Sequence, residues 1–545
     1  MRPLPRRILF GIGVLAFAAL AVLLFLEFGP AGAGDTGEEP LAPGDYQGYL
    51  TCASGSSCHA GDAAEWNLTR HADAWNDLVT HPNYTAVCER CHTTGYGRPS
   101  GFVDNVTTPH LLNVQCEACH GPDPHTDPQT ARARVNYSVA ICGVCHNRQE
   151  APLVHHPYWD EWNTSAHARS LGAAGGAVVT DPNCRGCHVA QYIVNETFEG
   201  GTWTLPLTNP EPIGCAVCHD PHGSVYEHDL RLPRSELCAK CHTPSATRPG
   251  ESVQHPQAFM REGKSGLDLP QVRWMTDVTC ADCHLYSSPI SANVSKTGHT
   301  FRPSADACAA CHDGVLAQPR LTVFQAEAFI DTWQDQVQVR YLNETTPALR
   351  AAEDAIAGAF DLGFTADQVA TAQTAFDEAN FSANFVVEDR SWGAHNPPYA
   401  EDLLDHARTK ADFVVAFLRP GTVTGRLVDE NGDPVPGAVI SRLGHTFTIT
   451  GSDGTFSFDH AYGSFVFDVL MGNKVLGTLP DVDIAAGAVT GLGDVRVTSP
   501  AGTDYMPLVI LLAVVVGLLA GYILIGRLRG RTPPEKSEGS GEGDG

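Results

Sequence analysis

Sixteen cysteines stand in eight Cys-x-x-Cys pairs: Cys88 and Cys91, Cys116 and Cys119, Cys142 and Cys145, Cys184 and Cys187, Cys215 and Cys218, Cys238 and Cys241, Cys280 and Cys283, Cys308 and Cys311. Each pair is followed at once by a histidine: His92, His120, His146, His188, His219, His242, His284 and His312. Two thiols at this spacing can add to the two vinyl groups of a haem as thioethers, and the adjacent imidazole then reaches the iron as proximal ligand. Zinc sites use paired cysteines without requiring a histidine in every following slot. Histidine is only 24 of 545 residues, so eight such slots are not chance. The last two cysteines, Cys52 and Cys58, precede His59 with three extra residues in the loop. They read as a ninth site with His59 as its ligand, or alternatively as a disulfide. The expected cofactor is therefore haem c, at eight regular sites and a ninth stretched one.

The opposite axial position decides what such an iron can do. Chemistry needs it open or exchangeable, whereas electron transfer favours two fixed ligands. Eleven further histidines lie between Cys52 and His312: His71, His81, His110, His125, His155, His156, His167, His222, His228, His255 and His299. Of these, His71, His110, His125, His156, His167, His222, His255 and His299 are the expected distal ligands. His155 and His156 are adjacent, so one of the two is expected to ligate. His81 and His228 stand open between ligation and a surface role. Methionine, at 5 residues, is too scarce for widespread ligation. A short repeat supports two of these assignments. Glu65-Trp66-Asn67 precedes His71-Ala72, and Glu161-Trp162-Asn163 precedes His167-Ala168, with histidine five residues after tryptophan each time. No catalytic side chain is nominated.

These groups need a scaffold, and little protein is present to build one. Cys52 to His312 is 261 residues for nine sites, or 29 per site. That is too little for a separate apolar core, so the porphyrins must be the core, wrapped by short helices and Gly/Pro-rich loops. Composition then shifts. Residues 318–419 lack cysteine and carry helical apolar spacing over 321–342, 347–360, 365–379 and 398–418, a bundle expected to pack on the haem region. Residues 420–498 alternate like strands, with Asp453-Gly454 as a hairpin turn. His445 and His460 in this segment are expected at the surface. The fold class expected is a mostly α and irregular multihaem domain (48–317) with the helical bundle, then a small all-β sandwich and a transmembrane helix.

The ends point to the membrane. Basic residues followed by an apolar run from Ile8 to Phe28 make 1–33 a signal peptide or signal anchor, with 34–47 as linker. Met506 to Ile525 is uncharged and long enough to span a bilayer, which places a transmembrane helix at 505–526. Arg527, Arg529 and Arg531 put the disordered tail, 527–545, in the cytoplasm. Everything between the two runs is then expected outside the cytoplasm. Nine Asn-x-Ser/Thr sequons, at Asn67, Asn83, Asn105, Asn136, Asn163, Asn195, Asn293, Asn343 and Asn380, agree with a glycosylated outer surface. Acidic residues exceed basic ones, 62 to 35, for a net charge of −27. That excludes a nucleic-acid partner and disfavours an anionic membrane surface, while suiting a basic redox partner.

Two resemblances follow from quoted residues. Cys88-Glu-Arg-Cys-His-Thr-Thr-Gly95, Val114-Gln-Cys-Glu-Ala-Cys-His-Gly-Pro122 with His125, Thr279-Cys-Ala-Asp-Cys-His284 with His299-Thr-Phe301, and Asp389-Arg-Ser-Trp-Gly-Ala-His-Asn-Pro397 resemble a multihaem superfamily. It comprises octahaem hydroxylamine oxidoreductases, their tetrahaem acceptor cytochrome, and octahaem and pentahaem reductases, and the likeness covers residues 48–417. The resemblance places His395 where the family's final helices can face a haem, while the count of eleven spare histidines for nine sites allows bis-histidine ligation of most or all of them. The pentahaem nitrite reductases use Cys-x-x-Cys-Lys at the active haem, and that motif is absent here. No tyrosine can be nominated for the cross-link of the hydroxylamine oxidoreductases. Gly425-Arg-Leu-Val428, Pro434-Val-Pro-Gly-Ala438 and Asp453-Gly454-x-Phe456 resemble a carboxypeptidase regulatory-like (transthyretin-like) domain. The sequence thus leads to a membrane-anchored, outward-facing electron conductor working with redox partner proteins or extracellular acceptors, as monomer or oligomer. The alternative is a reductase or oxidase of nitrite, hydroxylamine or tetrathionate with one open haem.

Overall fold

The computed structural model describes residues 44–53, 59–122, 137–147, 157–202, 207, 209–244, 247–265, 267–291, 294–313 and 320–498. The expected signal segment, transmembrane helix and tail, and Cys58, His125, His155 and His156, lie outside these residues. No helix among the described residues is long and apolar enough to cross a membrane. The chain divides into two compact units, 1–341 with 382–404, and 342–381 with 405–545.

The first unit is built from short pieces. Its helices include α1 (Ala60–Trp66), α2 (Ala74–Val79), α3 (Tyr158–Asn163) and α4 (Gln257–Glu262), besides one-turn helices at the cysteine motifs. A hairpin of β1 (Ser288–Ser291) and β2 (Val294–Lys296) is its one sheet among the described residues. Apolar clusters here are small: Tyr46, Phe102 and Leu111 in one, Ala190, Ile193, Val194 and Val217 in another. Helix α5 (Val323–Arg340) starts at a capping box in which Thr322 and Gln325 satisfy each other's backbone N–H.

The second unit has ordinary cores. Helix α6 (Thr346–Gly358) packs with parts of α7 (Ala366–Asp389) and α8 (Pro397–Phe417) around Ala352, Ala359, Ala372, Ala375, Ala379, Ala411 and Val414. Small side chains let these backbones approach closely. Helix α7 runs ten residues past the Ala379 expected from spacing, because Phe381, Phe385 and Val386 continue its buried face. Burial there outweighs the weak helix propensity of Phe and Val.

Strands β3 (Gly421–Val428), β6 (Thr455–His460) and β11 (Val489–Arg496) form one sheet, ordered β11-β3-β6, with β11 parallel to β3. An antiparallel sheet, β5-β4-β8-β9, contains β4 (Val439–Arg442), β5 (His445–Ile449), β8 (Asp468–Met471) and β9 (Lys474–Thr478). The short strands β7 (Gly463–Phe465) and β10 (Val482–Ile484) pair with each other. Val423, Leu427, Ile440, Phe456, Phe458, Phe467, Val469 and Leu476 share one core. In β6 burial alternates residue by residue, as a half-buried strand requires. Gly454 has φ +80°, and a Cβ there would lie 2.5 Å from the Leu427 carbonyl, so the turn requires glycine. His445 is exposed as expected. His460 is not at the surface: it is wholly buried among Phe447, Phe465 and Phe467, at an inward position of β6, and donates from Nδ1 to the Ala461 carbonyl.

Candidate functional site

Of the nine cysteine motifs, numbered I to IX in chain order, II to IX fold as short helical turns, while the loop of motif I lies outside the described residues. The histidine N–H returns to the carbonyl of the first cysteine in motifs IV, VI, VII and IX, at 2.9, 2.9, 3.0 and 2.8 Å. Positions i, i+3 and i+4 of a turn share one face, so two sulfurs and one imidazole are offered to the same side. That is the local geometry a doubly attached haem requires.

Distal rings come from far along the chain. An imidazole nitrogen sits about 2 Å from a transition metal and about 1.2 Å from its own ring centroid, so two rings across one metal have centroids about 6.3 Å apart. Motif rings meet second rings at that spacing six times: His120 and His222 at 6.1 Å, His146 and His71 at 6.1 Å, His188 and His255 at 5.7 Å, His219 and His299 at 6.4 Å, His242 and His167 at 6.2 Å, His284 and His395 at 6.0 Å. His255 also lies 6.0 Å from His242, but among the described residues His167 faces no other motif ring at this spacing, which leaves His255 for His188. The pairs serve motifs III to VIII. They unite five of the expected distal residues, His71, His167, His222, His255 and His299, with motif rings.

The rings are also held in the right tautomer. Nδ1 donates to the Ala74 carbonyl from His92 (2.8 Å), to the Ser170 carbonyl from His188 (3.3 Å), to the His228 carbonyl from His219 (2.8 Å) and to the Phe301 carbonyl from His284 (2.9 Å). His242 donates to Gln257 Oε1 (3.2 Å), whose amide is oriented by the Glu388 and Asp389 carbonyls. His299 donates to Thr297 Oγ1 (3.0 Å), whose own proton goes to Glu161. A proton on Nδ1 leaves the Nε2 lone pair for a metal. Burial pushes His146, His167 and His255 down to about 4, reinforced by neighbouring histidines, and the neutral form is the ligating one. These observations fit iron held between opposed imidazoles.

Sulfurs of separate motifs meet as well. Cys52 is a hydrogen-bond neighbour of Cys116, Cys91 of Cys145, Cys142 of Cys215, Cys187 of Cys241 and Cys238 of Cys280. Cys119 feels Cys142, Cys238 feels Cys218, and Cys283 feels Cys308. The hydrogen-bond neighbours put motif I beside III, II and VI beside IV, and V and VIII beside VII, while the last three relations are electrostatic and longer in range.

The repeat seen in the sequence is a structural duplication. Trp66 and Trp162 are 96 residues apart, as are His71 and His167, Cys88 and Cys184, and Cys142 and Cys238. Trp66 Nε1 donates to the Val114 carbonyl and Trp162 Nε1 to the Ile213 carbonyl, at 3.0 and 2.8 Å, each two residues before a motif cysteine. The carbonyls that hold His92 and His188, from Ala74 and Ser170, are again 96 residues apart.

Other histidines do other work. His228 is exposed, and its backbone carbonyl orients His219. His81 is exposed, and its Nδ1 accepts the Asn83 N–H. His110 is exposed, and among the described residues no motif ring stands opposite it. Counting histidines between the motifs missed His395, which lies beyond them. Its only sequence signal was the likeness around Trp392 to Pro397.

Comparison with known proteins agrees in kind. The family described as cytochrome c554 and c-prime matches residues 52–121 and 141–220, and the cytochrome c552 family matches residues 184–424. Cytochrome c-554 of Nitrosomonas europaea is 31% identical over 103 residues, 16% of this chain and 43% of that protein. Multiheme cytochrome MtrA of Shewanella baltica is 28% identical over 167 residues, 26% of this chain and 46% of that protein. The chain thus spans less than half the length of either curated relative. The crystal structure of outer cell wall cytochrome OcwA matches with a TM-score of 0.45 and 22% identity, over 59% of this chain and 75% of that one.

Proposed function

The chain is a multihaem cytochrome c, and from that premise we propose that it is an outward-facing, membrane-anchored conductor of electrons carrying nine haems. The observation that carries the reading is the set of six opposed His–His pairs. Bound haem supplies reversible one-electron chemistry. What the protein would add is closure: the two facing rings of each pair would hold the iron and keep substrates off it. Hydrogen bonds at Nδ1 hold those rings still, which keeps reorganisation small when charge arrives or leaves. The close approach of sulfurs from different motifs, such as Cys91 to Cys145 and Cys187 to Cys241, supports passage from one site to another.

Anchoring rests on the apolar run from Met506 to Ile525 and the arginines after it. An outer, glycosylated surface is supported by the exposure of Asn67, Asn83, Asn105, Asn163, Asn343 and Asn380. Asn195, by contrast, is half-buried. The −27 charge favours a basic redox partner. The test is spectroscopic. Full-length protein carrying its haems is expected to be almost wholly low-spin and unreactive toward carbon monoxide, cyanide and nitrite. It is also expected to oxidise a reduced donor and pass the electrons to a soluble acceptor. A substantial high-spin fraction, with steady turnover of nitrite, hydroxylamine or tetrathionate, would overturn the reading in favour of a reductase.

A further inference from the structure

The six ring pairs are not electrically alike. Five Nδ1 protons go to neutral acceptors: carbonyls for His188, His219 and His284, an amide oxygen for His242, a hydroxyl for His299. His395 differs. Its Nδ1 lies 2.7 Å from Asp389 Oδ1, and the Asp389 side chain has no solvent exposure. Three other carboxylates lie near histidine rings among the described residues, but in other settings: Glu227, 3.4 Å from His228, is exposed like its partner, which faces no motif ring. Asp62 by His59 is exposed, and Asp220 lies 3.6 Å from the half-exposed His222.

The contact is built by the turn between α7 and α8. Arg390, Trp392 and Gly393 all have positive φ, at 60°, 48° and 89°. A Cβ on Gly393 would come within 2.9 Å of Val337. This turn brings Asp389, at the end of α7, back onto His395, just before α8. Ser391 completes it: its hydroxyl donates to Asp389 Oδ2 and accepts the His395 N–H at 3.1 Å. Two non-glycine residues in the left-handed region are sparse conformations, which persist where surrounding structure demands them.

A buried carboxylate on the far nitrogen of a ligand ring draws its proton and makes the ring a stronger electron donor. Low dielectric magnifies the effect. A more basic ligand favours the oxidised metal over the reduced one, which lowers the reduction potential. We propose that Asp389 is a positioning and tuning residue. On this account it gives His395 imidazolate character and makes the haem of motif VIII, between His284 and His395, the low-potential centre of the array. The proposal rests on the His284–His395 ligation read above. Motif VIII stands beside VII and IX, so a low-potential centre there is a barrier on the path toward the last motif.

The experiment is a redox titration of the full haem-loaded chain, followed optically, with three variants. Asp389→Asn keeps shape and hydrogen bond but removes the charge. One of the titrating components is expected to rise by at least tenfold in its reduction equilibrium, about 59 mV for one electron. Ser391→Ala removes the hydroxyl that tempers the carboxylate, and the same component is expected to fall. A merely structural role would move both variants the same way. His395→Ala tests the ligation itself and is expected to turn one haem high-spin and open to carbon monoxide. An unchanged spin state in His395→Ala would sink the ligation reading. An opened site in His395→Ala with all components unmoved in Asp389→Asn would sink the tuning proposal alone. If Asp389→Asn does not fold, a rise rather than a fall in Ser391→Ala sinks it equally.

Discussion

The two duplicated halves of the motif region share a frame and differ in one carboxylate. In each, a buried tryptophan donates to the carbonyl two residues before a motif, and a histidine five residues on faces the ring 75 residues further along, His71 with His146 and His167 with His242. Yet Glu65 is exposed, while the matching Glu161 is buried. Glu161 accepts the backbone N–H of Thr297 and of His299 and the Thr297 hydroxyl, and so fixes the loop that presents His299 to motif VI. The first half draws on a different residue, buried Glu117, which accepts from Gln47 and Gly48 and ties the segment before motif I to motif III. The duplicated frame builds a pair of facing imidazole rings. Residues that diverged between the copies attach each half to what lies beside it.

The largest expected effect tests the shared frame. His71→Ala and His167→Ala should each convert one haem to high-spin and make it bind carbon monoxide. Equal amplitudes in magnetic circular dichroism are expected, and a silent variant would show that the halves do not ligate alike.

Smaller effects test the divergence. Glu161→Gln removes charge from three charge-assisted bonds and should cost about 2–3 kcal/mol in chemical denaturation, with altered spectra at one haem. Glu65→Gln, on an exposed residue with the same neighbours in sequence, should stay within about 0.5 kcal/mol. Comparable losses would mean the two glutamates do the same work.

The smallest step returns to the frame. Trp66→Phe and Trp162→Phe each leave one half-buried carbonyl without its indole donor, at about 1 kcal/mol apiece. Unequal losses would show that one half depends less on its tryptophan anchor.

Much of the chemistry was legible before any fold was known, because it is local. Thiol, thiol and imidazole at i, i+3 and i+4 fall on one face of one turn, so spacing alone locates the motifs and their proximal ligands. The helices and strands after residue 320 also follow from short-range apolar periodicity, apart from the end of α7, where buried phenylalanines carry the helix on. His460 was misread because an alternating strand buries whichever residue falls on its inner face, polar or not.

Which ring stands opposite which was decided only by tertiary structure. The paired histidines are separated by 67 residues, for His188 and His255, up to 111, for His284 and His395. No local period encodes such distances. The pairing depends on where tryptophan anchors, buried glutamates and positive-φ turns place each loop. Composition and spacing determined that this protein binds haem many times over. Packing determined that six motif rings each face a second imidazole, and that a buried aspartate sits behind one of these pairs.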